Sequence, residues 1–66
     1  MEPRTAYVVQ ATVRRRGAIG WPFKVTVRLE LPPNASRESV VDAWFAAYGE
    51  TFETFHVDAW AEGGES

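Results

Sequence analysis

His56 and Asp58 are the residues whose types and spacing first suggest acid–base chemistry. Residues two apart on a β-strand point to the same face of the sheet, so the imidazole and the carboxylate would lie side by side. Such a pair can act as a general base and its orienting group when a nucleophile is close. The sequence places no Ser or Cys beside the pair. We therefore expect a protein that is not an enzyme and has no small-molecule substrate.

Metal and cofactor sites have equally little support in the sequence. The chain contains no cysteine and one histidine, whereas structural zinc sites combine several Cys and His ligands. Gly17 and Gly20 lack the spacing of a phosphate-binding loop, and no helical pattern follows them. We expect neither a metal nor a cofactor.

Arg14, Arg15 and Arg16 form the most basic cluster of the chain. Guanidinium groups in a row can neutralise phosphates, so this cluster predicts a nucleic-acid contact that Lys24 and Arg28 would extend. The alternative is a solvated, charged turn, which protects a sheet edge from aggregation. Both interpretations leave the three arginines on the surface.

The charge is divided unevenly along the chain. Residues 1–28 contain six basic residues and one acidic residue, and residues 29–66 contain one basic residue and eight acidic residues. This asymmetry indicates either a polyanion or a charge-complementary protein as the partner. The acidic half would repel a nucleic acid, which favours the protein.

Two segments show the alternation of a half-buried β-hairpin. Residues 5–15 and residues 21–31 place apolar side chains at every second position. If Val9 faces Val27, the apolar positions of both segments meet on one face of the sheet. The same register pairs Arg15 with Trp21, and Trp21 would then cover one end of the core.

A helix is predicted after the hairpin, with Ser36 as its N-cap and Gly49 as the residue that stops it. Trp44 lies in its apolar stripe, so we expect Trp44 in the core. Residues 51–60 form the last predicted strand, with Phe55, Val57 and Ala59 pointing inward and Thr54, His56, Asp58 and Trp60 pointing outward. Phe52 falls on the outward positions, which suggests a bulge or a later start of the strand.

These elements predict one α+β domain with the order ββαβ, in which a three-stranded antiparallel sheet of order 2-1-3 carries one helix on one face. Order 1-2-3 is the alternative. The domain is predicted to span residues 5–61, between a disordered segment at 1–4 and a flexible acidic tail at 62–66. No segment approaches the ~20 apolar residues of a membrane helix, and the first residues do not resemble a signal peptide. We expect a cytoplasmic protein with no membrane partner.

Two short motifs are similar to LX, a family of small archaeal large-subunit ribosomal proteins. They are Trp21-Pro22-Phe23-Lys24 at the start of the second strand and Tyr48-Gly49 at the end of the helix. The resemblance implies a ribosome-associated protein. It also implies a basic segment after the helix, where this chain has Glu50, Glu53 and Asp58. We do not adopt the assignment.

The outward face of the sheet is the predicted contact surface, because Trp60 would be a large exposed aromatic at its margin. The predicted partner-binding residues are Lys24, Arg28, His56, Asp58, Trp60 and, in the hairpin loop, Ile19. We interpret the chain as a small protein-binding module, such as a regulator, an accessory subunit or a phage-type inhibitor of a macromolecular machine. The alternative is a nucleic-acid- or ribosome-associated protein that uses the basic hairpin. A small core without disulfides and two open sheet edges also predict a homodimer.

Overall fold

The elements follow the predicted order ββαβ. A computed structural model describes residues 4–62, with β1 (Thr5–Arg15), β2 (Phe23–Leu31), α1 (Arg37–Tyr48) and β3 (Phe52–Ala61). The strands form one antiparallel sheet of order β2-β1-β3, and the α+β class and the strand order are confirmed. Residues 1–3 and 63–66 of the predicted terminal segments lie outside the described residues. The other two residues of those segments, Arg4 and Glu62, both contact the sheet. Arg4 Nη1 donates to the carbonyl of Glu30 (3.3 Å), and the Glu62 N–H donates to the carbonyl of Ala6 (2.9 Å).

The predicted hairpin register is confirmed over most of its length. Val9 faces Val27, and Val13 faces Phe23. β2 begins at Phe23 rather than at Trp21: Arg15 pairs with Phe52 of β3 and has no partner on β2. The loop between β1 and β2 therefore comprises residues 16–22.

The last strand contains a bulge that inverts part of the predicted pattern. Thr12 faces His56 and Val13 faces Thr54, so Phe55 is an extra residue without a partner on β1. A bulge of this kind changes which residues point to which face on its two sides. The prediction that Phe55 points inward and Thr54 outward was wrong. Phe52 instead packs against the core, and its ring contacts Phe23 edge-on with a centroid distance of 6.1 Å.

The core lies between α1 and one face of the sheet. Its buried members come from alternate positions of β1 and from two positions of the helix: Tyr7, Val9, Ala11, Val13, Val40 and Trp44. Trp44 is 0% exposed, as its place in the apolar stripe predicts. The apolar residues of β2 and β3 on the same face are only partly buried, because they flank the central strand.

Both ends of α1 are fixed by local contacts. The Ser36 hydroxyl accepts a hydrogen bond from the Ser39 N–H (3.1 Å), which confirms Ser36 as the N-cap. Gly49 keeps a right-handed conformation, with φ at −62°, and its N–H donates to the carbonyl of Phe45. A Cβ at Gly49 would lie 2.6 Å from that carbonyl oxygen. Glycine is therefore required there by the close approach of the backbone and not by a left-handed φ.

The hairpin loop projects beyond the core. The Ala18 N–H donates to the carbonyl of Arg15 (3.0 Å), and Gly17, with φ at 81°, supplies the left-handed residue that a type II turn needs. Trp21 is 91% exposed and Ile19 is fully exposed. The prediction that Trp21 covers one end of the core was wrong, since neither α1 nor β3 reaches it.

Candidate interaction surface

The face of the sheet opposite α1, which we name the open face, carries most of the predicted contact residues. Even-numbered residues of β1 lie along its middle, flanked by cross-strand partners on β2 and β3. Its three central rows are Arg28–Val8–Trp60, Thr26–Gln10–Asp58 and Lys24–Thr12–His56. Within residues 4–62, no helix or strand covers this face. The structure therefore brings Lys24, Arg28, His56, Asp58 and Trp60 onto one continuous surface.

Two large aromatic side chains stand on the open face. Trp60 is 45% exposed, and Phe55 is 51% exposed because the bulge turns it away from the core. The guanidinium of Arg14 lies 5.4 Å from the centre of the Phe55 ring, in the geometry of a cation–π contact. The open face is thus more apolar than the sequence alone predicted.

The basic residues of this face are largely paired with acidic ones. Arg14 contacts Glu53 at 3.0 Å, and Arg28 contacts Glu62 at 2.6 Å across the central strand. These pairs are partly exposed, so each contributes at most about 1 kcal/mol to stability. Their main consequence is electrostatic, since the open face presents alternating charges rather than a positive field.

His56 and Asp58 share the open face, as predicted. Asp58 Oδ1 accepts a hydrogen bond from the Ala59 N–H (2.9 Å) and also contacts Arg37 Nη2 at 3.4 Å. The same Arg37 nitrogen donates to the carbonyl of Val57 (3.1 Å). The carboxylate of Asp58 is therefore directed to the free edge of β3, where it and Arg37 satisfy backbone groups.

The three consecutive arginines have different surroundings. Arg14 is engaged by Glu53 and Phe55, and Arg16 Nε donates to the carbonyl of Gly49 at the carboxyl end of α1 (3.0 Å). Arg15 is exposed, and within residues 4–62 no ion pair involves its side chain. The structure therefore does not bring the three guanidinium groups together as one basic cluster.

A small cavity lies at the opposite end of the molecule from the hairpin loop. Its volume is about 220 Å³, and polar and apolar atoms both contribute to its lining, with Arg37 as the charged residue. Tyr7, Val40 and Trp60 are among the lining residues. The volume is below the ~300 Å³ at which pockets for small organic ligands usually begin.

Comparison with known proteins gives no relative. No protein family matches the chain. No curated protein and no solved structure shows significant similarity to it. Within the described residues, no group of three or more His, Cys, Asp or Glu side chains could hold a metal ion. Nor does that part of the chain contain a helix that is both long and apolar enough to cross a membrane.

Phe55 is the surface residue that the sequence analysis missed. Its position in the strand predicted an inward direction, and the structure places it outward. A signal was present, because Phe52 and Phe55 cannot both point inward in a regular strand. Assigning the extra residue to position 55 required knowledge of the pairing with Val13 and Thr12.

Proposed function

We propose that this chain is a non-catalytic protein-binding module that contacts its partner protein through the open face. The observation that carries the proposal is the presence of Phe55 and Trp60, each about half exposed, on a sheet face that no helix or strand of residues 4–62 covers. Aromatic side chains dominate the energetics of protein interfaces, because a large rigid area is buried for little loss of entropy. A regulator, an accessory subunit or a phage-type inhibitor would all use such a surface.

The charge arrangement supports a protein partner over a polyanion. Arg14 and Arg28 are held by Glu53 and Glu62, and Asp58 lies between them on the same face. Phosphates approaching this surface would meet carboxylates beside every paired guanidinium. A protein surface with its own mixed charges can complement the pattern and gain specificity from it.

A nucleic-acid partner is the second candidate, and one observation favours it. The hairpin loop carries the exposed Trp21, and the basic residues Arg15 and Lys24 lie at the strand ends that this loop joins; bases stack on exposed aromatics in basic surroundings. Arg14 and Arg16 add less, because both guanidinium groups already have partners. If nucleic acid binds, its affinity falls steeply with salt, whereas binding by an aromatic-centred protein interface changes little.

The absence of catalysis is part of the same proposal. Asp58 is engaged by Arg37 and by the Ala59 N–H, which leaves its carboxylate poorly placed to orient His56. The small volume of the cavity beside Tyr7 argues against a substrate pocket. Both observations agree with a chain whose work is done by its surface.

The experiment compares Trp60→Ala with Asp42→Ala. Tagged protein is used to isolate a partner from host lysate, and the affinity of the purified partner for each variant is measured by calorimetry. We expect Trp60→Ala to weaken binding by about 2 kcal/mol or more, roughly 30-fold, as truncation of a hot-spot aromatic does. Asp42 is exposed on α1, on the other side of the molecule, so Asp42→Ala should bind as the wild type does.

Thermal unfolding of both variants completes the test. Trp60→Ala should remain folded, because the side chain lies outside the buried core. Unchanged affinity in a folded Trp60→Ala protein would reject the open face as the contact surface. Recovery of nucleic acid instead of protein, with binding lost at high salt, would establish the second candidate.

A further inference from the structure

The hydrogen-bonding pattern shows which backbone groups face the free edge of β2. The Glu62 N–H donates to the carbonyl of Ala6, so the even-numbered residues of β1 bond to β3 and the odd-numbered ones bond to β2. The partners of the odd-numbered residues are the odd-numbered residues of β2. The backbone N–H and C=O groups of Lys24, Thr26, Arg28 and Glu30 therefore point away from the sheet.

The opposite edge of the sheet is closed by side chains. On the free edge of β3, Arg37 donates to the carbonyl of Val57, and Asp58 accepts from the Ala59 N–H. The bulge at Phe55 interrupts the edge further. Natural sheets use such devices to prevent a further strand from pairing.

β2 has little of this protection. It is nine residues long, contains no proline and pairs with β1 without a bulge. Within residues 4–62, the Glu30 carbonyl has a partner in Arg4, and no hydrogen bond reaches the outward backbone groups of Lys24, Thr26 and Arg28. A regular edge of this kind is a template for another strand.

We propose that β2 pairs with β2 of a second copy, antiparallel about a two-fold axis at Val27, so that two three-stranded sheets form one six-stranded sheet. In this register Lys24 lies opposite Glu30 of the second copy, and the symmetry forms the same pair twice. On the side of the helices, Val25 lies opposite Leu29 and Phe23 lies opposite Leu31. Opposite charges meet on one face and apolar side chains on the other, which is what stabilises cross-strand pairs.

Charge selects this register over its neighbours. Centring the axis on Thr26 places Lys24 opposite Arg28, and centring it on Arg28 places that residue opposite itself. Like charges directly across a pair of strands are destabilising. A slip that joins odd to even positions would turn the apolar residues of one copy to the open face of the other. Of these arrangements, the one centred on Val27 alone matches both faces.

The same register accounts for the exposed apolar residues beside the edge. Phe23 is 47% exposed, and Val25, Val27, Leu29 and Leu31 are only half-buried in the single chain. Continued past the strand, the register carries the exposed Trp21 of one copy toward Pro33 of the other. A second copy is favoured over an unrelated strand, because in this register β2 is complementary to itself at the two Lys24–Glu30 pairs on one face and at the apolar pairs on the other.

Charge reversal tests the register. Sedimentation equilibrium of the wild type should show a dimer at about 100 μM protein. Lys24→Glu and Glu30→Lys should each raise the dissociation constant by about tenfold or more, because two attractive pairs become repulsive. The double variant Lys24→Glu/Glu30→Lys should restore the wild-type value, since it recreates both pairs with their signs exchanged. Within one chain these two side chains lie six positions apart on β2 and do not pair, so the rescue reports only on the two-fold contact.

Three further variants keep the test decisive. Thr26→Pro removes an N–H that points to the free edge, so it should abolish the dimer while a monomer remains folded. Trp21→Ala should weaken the dimer without changing the circular dichroism spectrum. Trp60→Ala, remote from β2, should leave the dissociation constant unchanged, which separates this inference from the proposed partner contact. A monomeric wild type, a double variant without rescue, or a dimer that survives Thr26→Pro would overturn the proposal.

Discussion

At the end of the β1–β2 hairpin that lies away from its loop, Tyr7 is buried. Its hydroxyl holds the turn that follows β2, since it accepts from the Ala35 N–H (3.0 Å) and donates to the carbonyl of Pro32 (3.4 Å). At the loop end of the hairpin, Ile19 and Trp21 extend beyond the core and remain exposed. Both ends carry apolar and aromatic residues at alternate positions of the same pattern. The alternation of a strand therefore specifies which face a side chain points to, and a covering element decides whether it is buried.

The length of the helix explains the difference between the two ends. α1 has 12 residues, which corresponds to about 18 Å. The buried stretch of β1 runs from Tyr7 to Val13, or about 20 Å at the rise of a β-strand. A pattern that continues to Trp21 exceeds what this helix can cover.

Removal of Trp44 should have the largest effect on stability, because Trp44 packs against the part of the hairpin that α1 covers. Trp44 is 0% exposed and fills the centre of the core. Trp44→Ala should cost about 3–5 kcal/mol, which is most of the stability of a domain of this size. Chemical denaturation measures the loss of unfolding free energy, with Trp21→Ala as the matched control at the loop end of the hairpin. We expect the control to change stability by less than about 0.5 kcal/mol in dilute solution, and equal losses would contradict the comparison.

Trp44→Phe sharpens the same measurement. The indole Nε1 of Trp44 is buried, and no hydrogen-bond partner for it is found within residues 4–62. A buried donor without a partner costs about 1–3 kcal/mol, and phenylalanine removes that donor while keeping an aromatic ring. We expect Trp44→Phe to lose much less than Trp44→Ala. A loss as large as that of alanine would show that the indole volume alone determines the stability.

Most of the fold followed from local patterns in the sequence. The strict alternation in β2 predicts a strand and its buried face, and the apolar stripe around Trp44 does the same for the helix. The Ser36 cap predicts where that helix begins. The register followed because a slip of one residue would expose the apolar face. The bulge at Phe55 and the exposure of Trp21 did not follow, since both depend on contacts between segments distant in the chain. On the open face, Trp60 was anticipated and Phe55 was not, for the same reason.

Tyr7→Phe tests whether a specific hydrogen bond holds the turn that follows β2. The change keeps the ring and removes the hydroxyl that joins Ala35 and Pro32, so the Ala35 N–H loses its partner. We expect a loss of about 1–2 kcal/mol in the free energy of unfolding. Tyr48→Phe is the control, because within residues 4–62 the Tyr48 hydroxyl is not among the groups that form a side-chain hydrogen bond. Similar losses in both variants would mean that the ring, and not the hydroxyl, fixes the turn.

The smallest expected effect concerns Arg16, which connects the loop end of the hairpin to the helix. Its Nε donates to the carbonyl of Gly49, and the last turn of α1 has no basic residue of its own. A cation at the carboxyl end of a helix contributes about 0.3–1 kcal/mol. Arg16→Ala should therefore lower the melting temperature by about 2–6 °C, whereas Arg15→Ala, which removes an exposed side chain, should leave it unchanged. The two variants lose the same charge, so any difference reports the position of the guanidinium. The difference should shrink in high salt, which screens a surface dipole contact. Equal melting temperatures at low salt would show that the contact with Gly49 does not stabilise the helix and that both arginines only meet solvent.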